Sequence, residues 1–132
     1  MSGIEVEMDE NMIVCNVIVN AHECEGSIAE ANDCLRSVWG KLEWYDRKQR
    51  FCPHLISSED SVQVKTLIDR VTAEESPVME YDHKLRSGYE LNSDLQSRVE
   101  AVCEQFRQMK KLLLLLYNNI NSILKNQSFV RI

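Results

Sequence analysis

The sequence predicts an all-α protein, an elongated helical hairpin or bundle of about three long helices with coiled-coil seams. Apolar residues recur at alternating steps of three and four along most of the chain, which is the spacing of one helix face. The 132 residues include only four glycines and two prolines, too few for a fold rich in tight turns. Length and composition are those of one globular unit, so residues 1–132 are assigned to a single helical domain.

The first helix is predicted over residues 10–50, because an unbroken apolar seam runs through that segment. The seam consists of Val14, Val17, Ala21, Cys24, Ile28, Ala31, Leu35, Val38, Leu42 and Tyr45. Gly26 and Gly40 weaken the helix by about 1 kcal/mol each relative to alanine. Residues 12–19 are rich in β-branched side chains, which leaves a short strand as the alternative there.

A loop is predicted over residues 51–57, because Pro53 cannot continue the first helix. The second helix is predicted over residues 58–75, with Ser57 or Ser58 as its N-terminal cap. Two acidic residues follow in its first turn, where the helix dipole favours negative charge.

A third, long helix is predicted over residues 77–126 after a kink or short break, with residues 127–132 as a tail. Ser76 followed by Pro77 has the pattern of an N-cap and a proline at the first helical position. The seam of the second and third helices consists of Val64, Leu67, Val71, Val78, Tyr81, Leu85, Leu95, Val99, Val102, Phe106, Met109, Leu113, Leu116, Ile120 and Ile123.

Five consecutive leucines, residues 112–116, form the longest purely aliphatic run in the chain. Leu113 and Leu116 continue the seam, so the other three leucines lie on other faces of the helix. A two-stranded coiled coil would leave much of that apolar surface in water. We therefore expect a further helix, from another copy or another protein, to cover it. The partner-binding residues predicted here are Leu112, Leu114, Leu115 and Tyr117.

Two tryptophans, Trp39 and Trp44, flank the seam near the end of the first helix. Exposed tryptophan side chains are frequent anchors of protein–protein interfaces, so both are added to the predicted partner-binding residues. The other interpretation is packing near the hairpin turn.

Composition and motifs argue against several classes of function. The net charge is −6, which does not favour nucleic-acid binding. The N-terminus is not of the signal-peptide type, and no stretch approaches the roughly 20 apolar residues of a membrane span. Phosphate-binding, dinucleotide-binding and hydrolase motifs are absent from the sequence. We expect a cytoplasmic protein, with a nuclear location as the alternative. We expect it to have no enzymatic activity, cofactor, membrane span or small-molecule substrate, and its partners to be other helical proteins.

Two Cys–His pairs, His22 with Cys24 and Cys52 with His54, together contain four groups that zinc accepts as ligands. Each pair is spaced too closely for a usual structural zinc site, in which two to four residues separate the paired ligands, whereas only one residue separates them here. On a helix, positions two apart point about 200° away from each other. No metal site is therefore expected. Cys103 is the remaining thiol considered as a nucleophile, and packing is the preferred interpretation for it.

Two short segments carry secondary hypotheses. Residues 57–60, Ser-Ser-Glu-Asp, have the pattern of an acidophilic kinase site as well as that of a helix cap, and phosphorylation is left open. Residues 130–132 end the chain with a short apolar tail that fits strand addition to a PDZ-type groove.

The last helix resembles that of the smallest shoulder subunit of dynactin. The similar positions are Cys103, Lys111, Leu113, Leu114, Tyr117, Asn118, Phe129 and Val130. The similarity covers about 30 residues, requires a one-residue shift before Phe129, and this chain is shorter between the middle and last helices. The resemblance implies a non-catalytic role in bridging larger helical subunits of a motor-associated or cytoskeletal assembly. The alternative is a homodimeric coiled-coil binding module that recruits a partner through its aromatic patch or C-terminal tail.

Overall fold

The computed structural model contains three α-helices, α1 (Ser2–Phe51), α2 (Ser58–Arg86) and α3 (Ser93–Val130), with a 3₁₀ turn at Pro53–Leu55. It describes the backbone of residues 2–86 and 93–130, and the side chains of residues 21–85 and 94–127. Within that backbone there is no strand, and the predicted all-α fold is confirmed.

The helices form an up-down-up bundle, as the polar contacts between them show. Helix α2 runs antiparallel to α1, since Lys48 contacts Asp60 near the turn and Glu23 contacts Tyr81 far from it. Helix α3 runs antiparallel to α2 and so parallel to α1. The contacts between α2 and α3 join Ser61 to Asn121 and Glu75 to Lys110.

The core of the bundle is the predicted seam. Every seam residue whose side chain is described is buried or packs against the core, whereas the side chains of Val14 and Val17 lie outside the described residues. Three further helical residues, Cys34, Ile68 and Cys103, join the core, because a third helix widens the buried stripe of its neighbours beyond a single seam. Ile56, in the connection between α1 and α2, is buried against the same core.

Helix α1 begins at Ser2 rather than at residue 10, and it includes residues 12–19. That segment is therefore helix and not strand. The three-four spacing of apolar residues continues through it, and this helical pattern prevails over the β-propensity of its branched side chains.

The predicted break before Pro77 is wrong, because α2 continues through Pro77 to Arg86. Proline removes one backbone hydrogen bond, but Val71 and Val78 on either side of it are almost completely buried. Burial of the flanking seam keeps the segment helical. The predicted helix over 77–126 is thus divided between α2 and α3, and residues 87–92 lie outside the described part. At its other end α3 extends past residue 126 to Val130.

The connection between α1 and α2 is organised by Asp60. The Ser57 backbone N–H donates to Asp60 Oδ2 at 2.8 Å, as in one half of a capping box. Lys48 Nζ at the end of α1 donates to the same carboxylate, at 3.0 and 2.8 Å from its two oxygens. Burial raises the pKa of Asp60, but the hydrogen bonds from Lys48 and Ser57 outweigh it and hold the pKa below its ordinary value. The start of α2 is therefore held by the Asp60 carboxylate, which accepts from both the backbone N–H and the hydroxyl of Ser57.

Gly26 and Gly40 lie within α1, and a Cβ added at either position would meet nothing within 4 Å. Gly26→Ala and Gly40→Ala should therefore each raise the free energy of unfolding by about 1 kcal/mol, the difference in helix propensity. The two positions are ~21 Å apart along the helix, so the double variant should show the sum. Chemical denaturation of the purified chain measures this. Destabilisation by either variant would contradict it.

Asp60→Asn should lower the free energy of unfolding by about 1–3 kcal/mol, because it leaves Lys48 without its charged partner. The folded pKa of Asp60 lies below its unfolded pKa, so this stabilisation is present above about pH 4 and is lost as the pH falls through the folded value. Denaturation curves between pH 2 and 7 should converge for wild type and variant at the acid end. Asp69→Asn, at an exposed ion pair with Lys65, is the control and should change little.

Candidate partner-binding surface

The leucine run divides into a buried and an exposed part, as its register predicted. Leu113 is completely buried and Leu116 nearly so, whereas the exposed fractions of Leu112, Leu114 and Leu115 are 41%, 48% and 59%. Tyr117 is partly buried and packs against the core. The chain itself therefore leaves three leucines within one turn of α3 in contact with solvent. That other helices cover them stays a prediction.

The exposed leucines lie on two different flanks of α3. A helix turns by about 100° per residue, which places Leu112 and Leu115 on the flank towards α1, where Leu112 lines a groove with Trp39. Leu114 and Tyr117 fall on the opposite flank, towards α2, where Tyr117 lies near Lys65. The six predicted partner-binding residues thus do not form one patch.

A groove of about 480 Å³ runs between α1 and α3. Its apolar residues come from both helices and include Trp39 of α1, exposed by 44%, and Leu112 of α3, exposed by 41%. The full lining is Asn32, Leu35, Arg36, Trp39, Glu104, Gln105, Gln108, Met109 and Leu112. Sequence reasoning missed the glutamines, because polar residues one turn from a leucine do not register in a hydrophobic pattern.

Trp44 lies in a second, smaller groove between α1 and α2, beside Gly40 and Leu67. Its exposed fraction is 57%, yet its ring is held in place. The rings of Trp44 and Tyr45 meet edge to face with centroids 4.9 Å apart, and Lys48 Nζ lies 5.2 Å from the Trp44 centroid. An ordered, exposed indole of this kind suits an anchor for a partner.

The charges around the α1–α3 groove are paired along their own helices. Arg36 contacts Asp33, and Arg107 contacts Glu104. Ion pairs this exposed contribute at most about 1 kcal/mol each, so a partner can rearrange them at little cost.

The Cys and His residues considered as zinc ligands are not brought together. Cys24 is buried in the core, whereas His22 and His54 are exposed and belong to opposite ends of the bundle. Among the described side chains, no group of three or more metal-ligating residues is found. Burial raises the pKa of the Cys24 and Cys34 thiols, and Cys103 is also buried. Such thiols serve packing better than nucleophilic chemistry.

The segment considered as a kinase site lies at the surface. Ser57 and Ser58 are exposed at the start of α2, so burial does not prevent a kinase from reaching them. The tail that was considered for PDZ binding lies outside the described side chains. Among the described residues, no helix combines the length and the apolar character needed to cross a membrane.

Comparisons with protein-family models, curated proteins and solved structures gave no match for this chain. The fold and the surface described above therefore carry the functional argument.

The division of the leucine run is testable through stability. Leu113→Ala should lower the free energy of unfolding by about 2–5 kcal/mol, because it opens a cavity in the core. Leu114→Ala, its matched neighbour, removes the same atoms from the surface and should change the value by less than about 0.5 kcal/mol. Urea denaturation of both variants gives the comparison. Equal losses would show that the register is misassigned.

Proposed function

We propose that this protein is a non-enzymatic structural subunit of a multiprotein assembly, which packs its helices against helices of partner subunits. The observation that carries the proposal is the exposure of three leucines on both flanks of α3, at residues 112, 114 and 115. A cluster of this kind is unfavourable in water, and its usual explanation is a protein–protein contact.

The two flanks support a position between partners rather than a single contact. One flank adjoins the α1–α3 groove with Trp39, and the other adjoins α2 beside Tyr117. A helix laid on either flank would convert part of the three-helix bundle into a four-helix arrangement. We infer a cytoplasmic scaffolding role from this geometry together with the sequence.

We include a motor-associated or cytoskeletal setting in the proposal, because the last helix resembles that of the smallest shoulder subunit of dynactin. Of the similar positions, Cys103 and Leu113 are buried, whereas Lys111, Leu114 and Asn118 are exposed. The resemblance therefore includes surface residues as well as core positions.

A homodimeric binding module that recruits its partner through an aromatic residue is the second candidate. Trp44 favours this candidate, because its side chain is exposed while its ring contacts Tyr45 and Lys48. The two candidates differ in which substitution abolishes partner binding. Trp44→Ala should do so for the module, and Leu114→Glu for the scaffolding subunit.

Affinity capture of the tagged full chain from its native cells, with quantitative mass spectrometry, tests the scaffolding role. Leu114→Glu and Leu115→Glu should each deplete the specifically recovered subunits at least tenfold, because each buries a charge in a helix–helix contact. Circular dichroism should show nearly unchanged helicity, since both residues are exposed.

Ser97→Glu is the matched control, because it adds the same charge at an exposed polar position of the same helix, ~26 Å from the two leucines along the axis. It should retain the recovered subunits. Full recovery with both leucine variants would contradict the proposal, and selective loss with Trp44→Ala would favour the binding module.

A further inference from the structure

The outer surface of α3 carries a second stripe in addition to the buried seam. We call it the α3 stripe and define it by residues spaced alternately four and three apart, all of them exposed and none of them charged. Its members are Ala101, Gln105, Gln108, Leu112, Leu115, Asn119, Ser122 and Asn126.

The absence of charge distinguishes the stripe from the rest of the exposed surface of α3. Between Ala101 and Asn126, the exposed charged residues of α3 lie at other positions, and they are Glu104, Arg107, Lys111 and Lys125. The same spacing meets the charged residues Arg98 and Asp94 before Ala101, so the uncharged stretch begins at Ala101. Depletion of charge is typical of the centre of a protein–protein interface. A merely solvated helix face has no reason to exclude lysine and glutamate over some seven turns.

The chemistry of the stripe is symmetric about its midpoint, which lies between Leu112 and Leu115. Gln108 precedes the leucine pair by one turn, and Asn119 follows it by one turn. An antiparallel pair of identical helices about this midpoint sets leucine against leucine and amide against amide. Amide side chains facing each other donate and accept hydrogen bonds reciprocally.

We propose that the α3 stripe is the interface between two copies of this chain, whose α3 helices pair antiparallel about a two-fold axis between Leu112 and Leu115. Leu112 then packs on Leu115 of the second copy, and Gln108 faces its Asn119. The second α3 lies along the α1–α3 groove, where it covers Trp39. The arrangement is isologous and closes on itself.

The charges beside the stripe select the antiparallel direction. In the antiparallel register, Lys125 of the second copy comes level with residue 102, ~3 Å along the axis from both Glu100 and Glu104. All three residues belong to the same flank, and an antiparallel pair brings like flanks together. A parallel, in-register pair would bring each flank against the opposite flank of the second copy, so Lys125 would meet neither Glu100 nor Glu104 and this attraction would be lost.

This inference rests on the proposed function only in treating the flank of α3 towards α1 as a partner-binding surface. It leaves Leu114 and Trp44 on other faces of the molecule. A dimer that recovers no assembly subunit would contradict the proposed function alone, and a monomer that recovers them would contradict the self-pairing alone.

Sedimentation velocity of the purified full chain at about 1–50 µM tests the pairing. The wild type should be a dimer, and Leu115→Glu should weaken self-association at least tenfold. Leu114→Glu, the adjacent residue with the same substitution, should remain a dimer, because it lies on the opposite flank. Circular dichroism should show similar helicity for all three proteins.

The orientation is tested by charge reversal. Lys125→Glu should weaken the dimer several-fold, and the combination of Glu104→Lys with Lys125→Glu should restore it. A monomeric wild type, a dimer insensitive to Leu115→Glu, an equal effect of Leu114→Glu or a failure of the double reversal would each overturn the arrangement. A monomer that binds a helix of another protein through Trp39 and Leu115 would likewise overturn self-pairing and assign the groove to that protein.

Discussion

Burial of one apolar stripe per helix holds this molecule together, and its limited width determines the rest of the structure. In a bundle of three helices each helix meets two neighbours, so part of its circumference always stays outside. Leu113 and Leu116 lie within the stripe and are buried, whereas Leu114 and Leu115, one residue away, are not. Three helices are enough to bury the core residues, but they are too few to cover all the leucines of the run. The fold and the proposed partner surface thus have the same physical origin.

Apolar stripes allow helices to slide past one another, and polar contacts fix their register. Asp60 joins the end of α1 to the start of α2 through Lys48 and Ser57. Further along the bundle, the buried carboxylate of Glu75 accepts a hydrogen bond from Lys110 of α3 at 2.9 Å. A slip of one turn would leave these carboxylates buried without their ammonium partners, which is costly. The same contacts that select the register therefore also determine which flank of α3 presents Leu115.

Periodicity alone predicted the all-helical structure and most of the buried residues from Cys24 to Ile120, because burial follows the helical repeat directly. It could not predict the continuation of α2 through Pro77, since proline breaks helices locally and only the packing of Val71 and Val78 opposes this. The pairing of Lys48 with Asp60 could not be predicted either, because it depends on the path of the chain between α1 and α2. For the candidate surface, the sequence placed Leu112, Leu114 and Leu115 off the seam, and these leucines are exposed. The separation of Trp39 and Trp44 into different grooves required three dimensions.

The four cysteines whose side chains are described differ in burial, so their rates of alkylation can report how the helices separate. The thiolate is the reactive form, and Cys24 and Cys34 of α1 and Cys103 of α3 are shielded in the core, whereas Cys52 at the turn is only half-buried. An alkylating reagent therefore reaches Cys52 while the helices remain packed. It reaches Cys24, Cys34 and Cys103 only when α1 or α3 lifts away from its neighbours. The order in which these thiols are modified reports which helix opens first, without any added label.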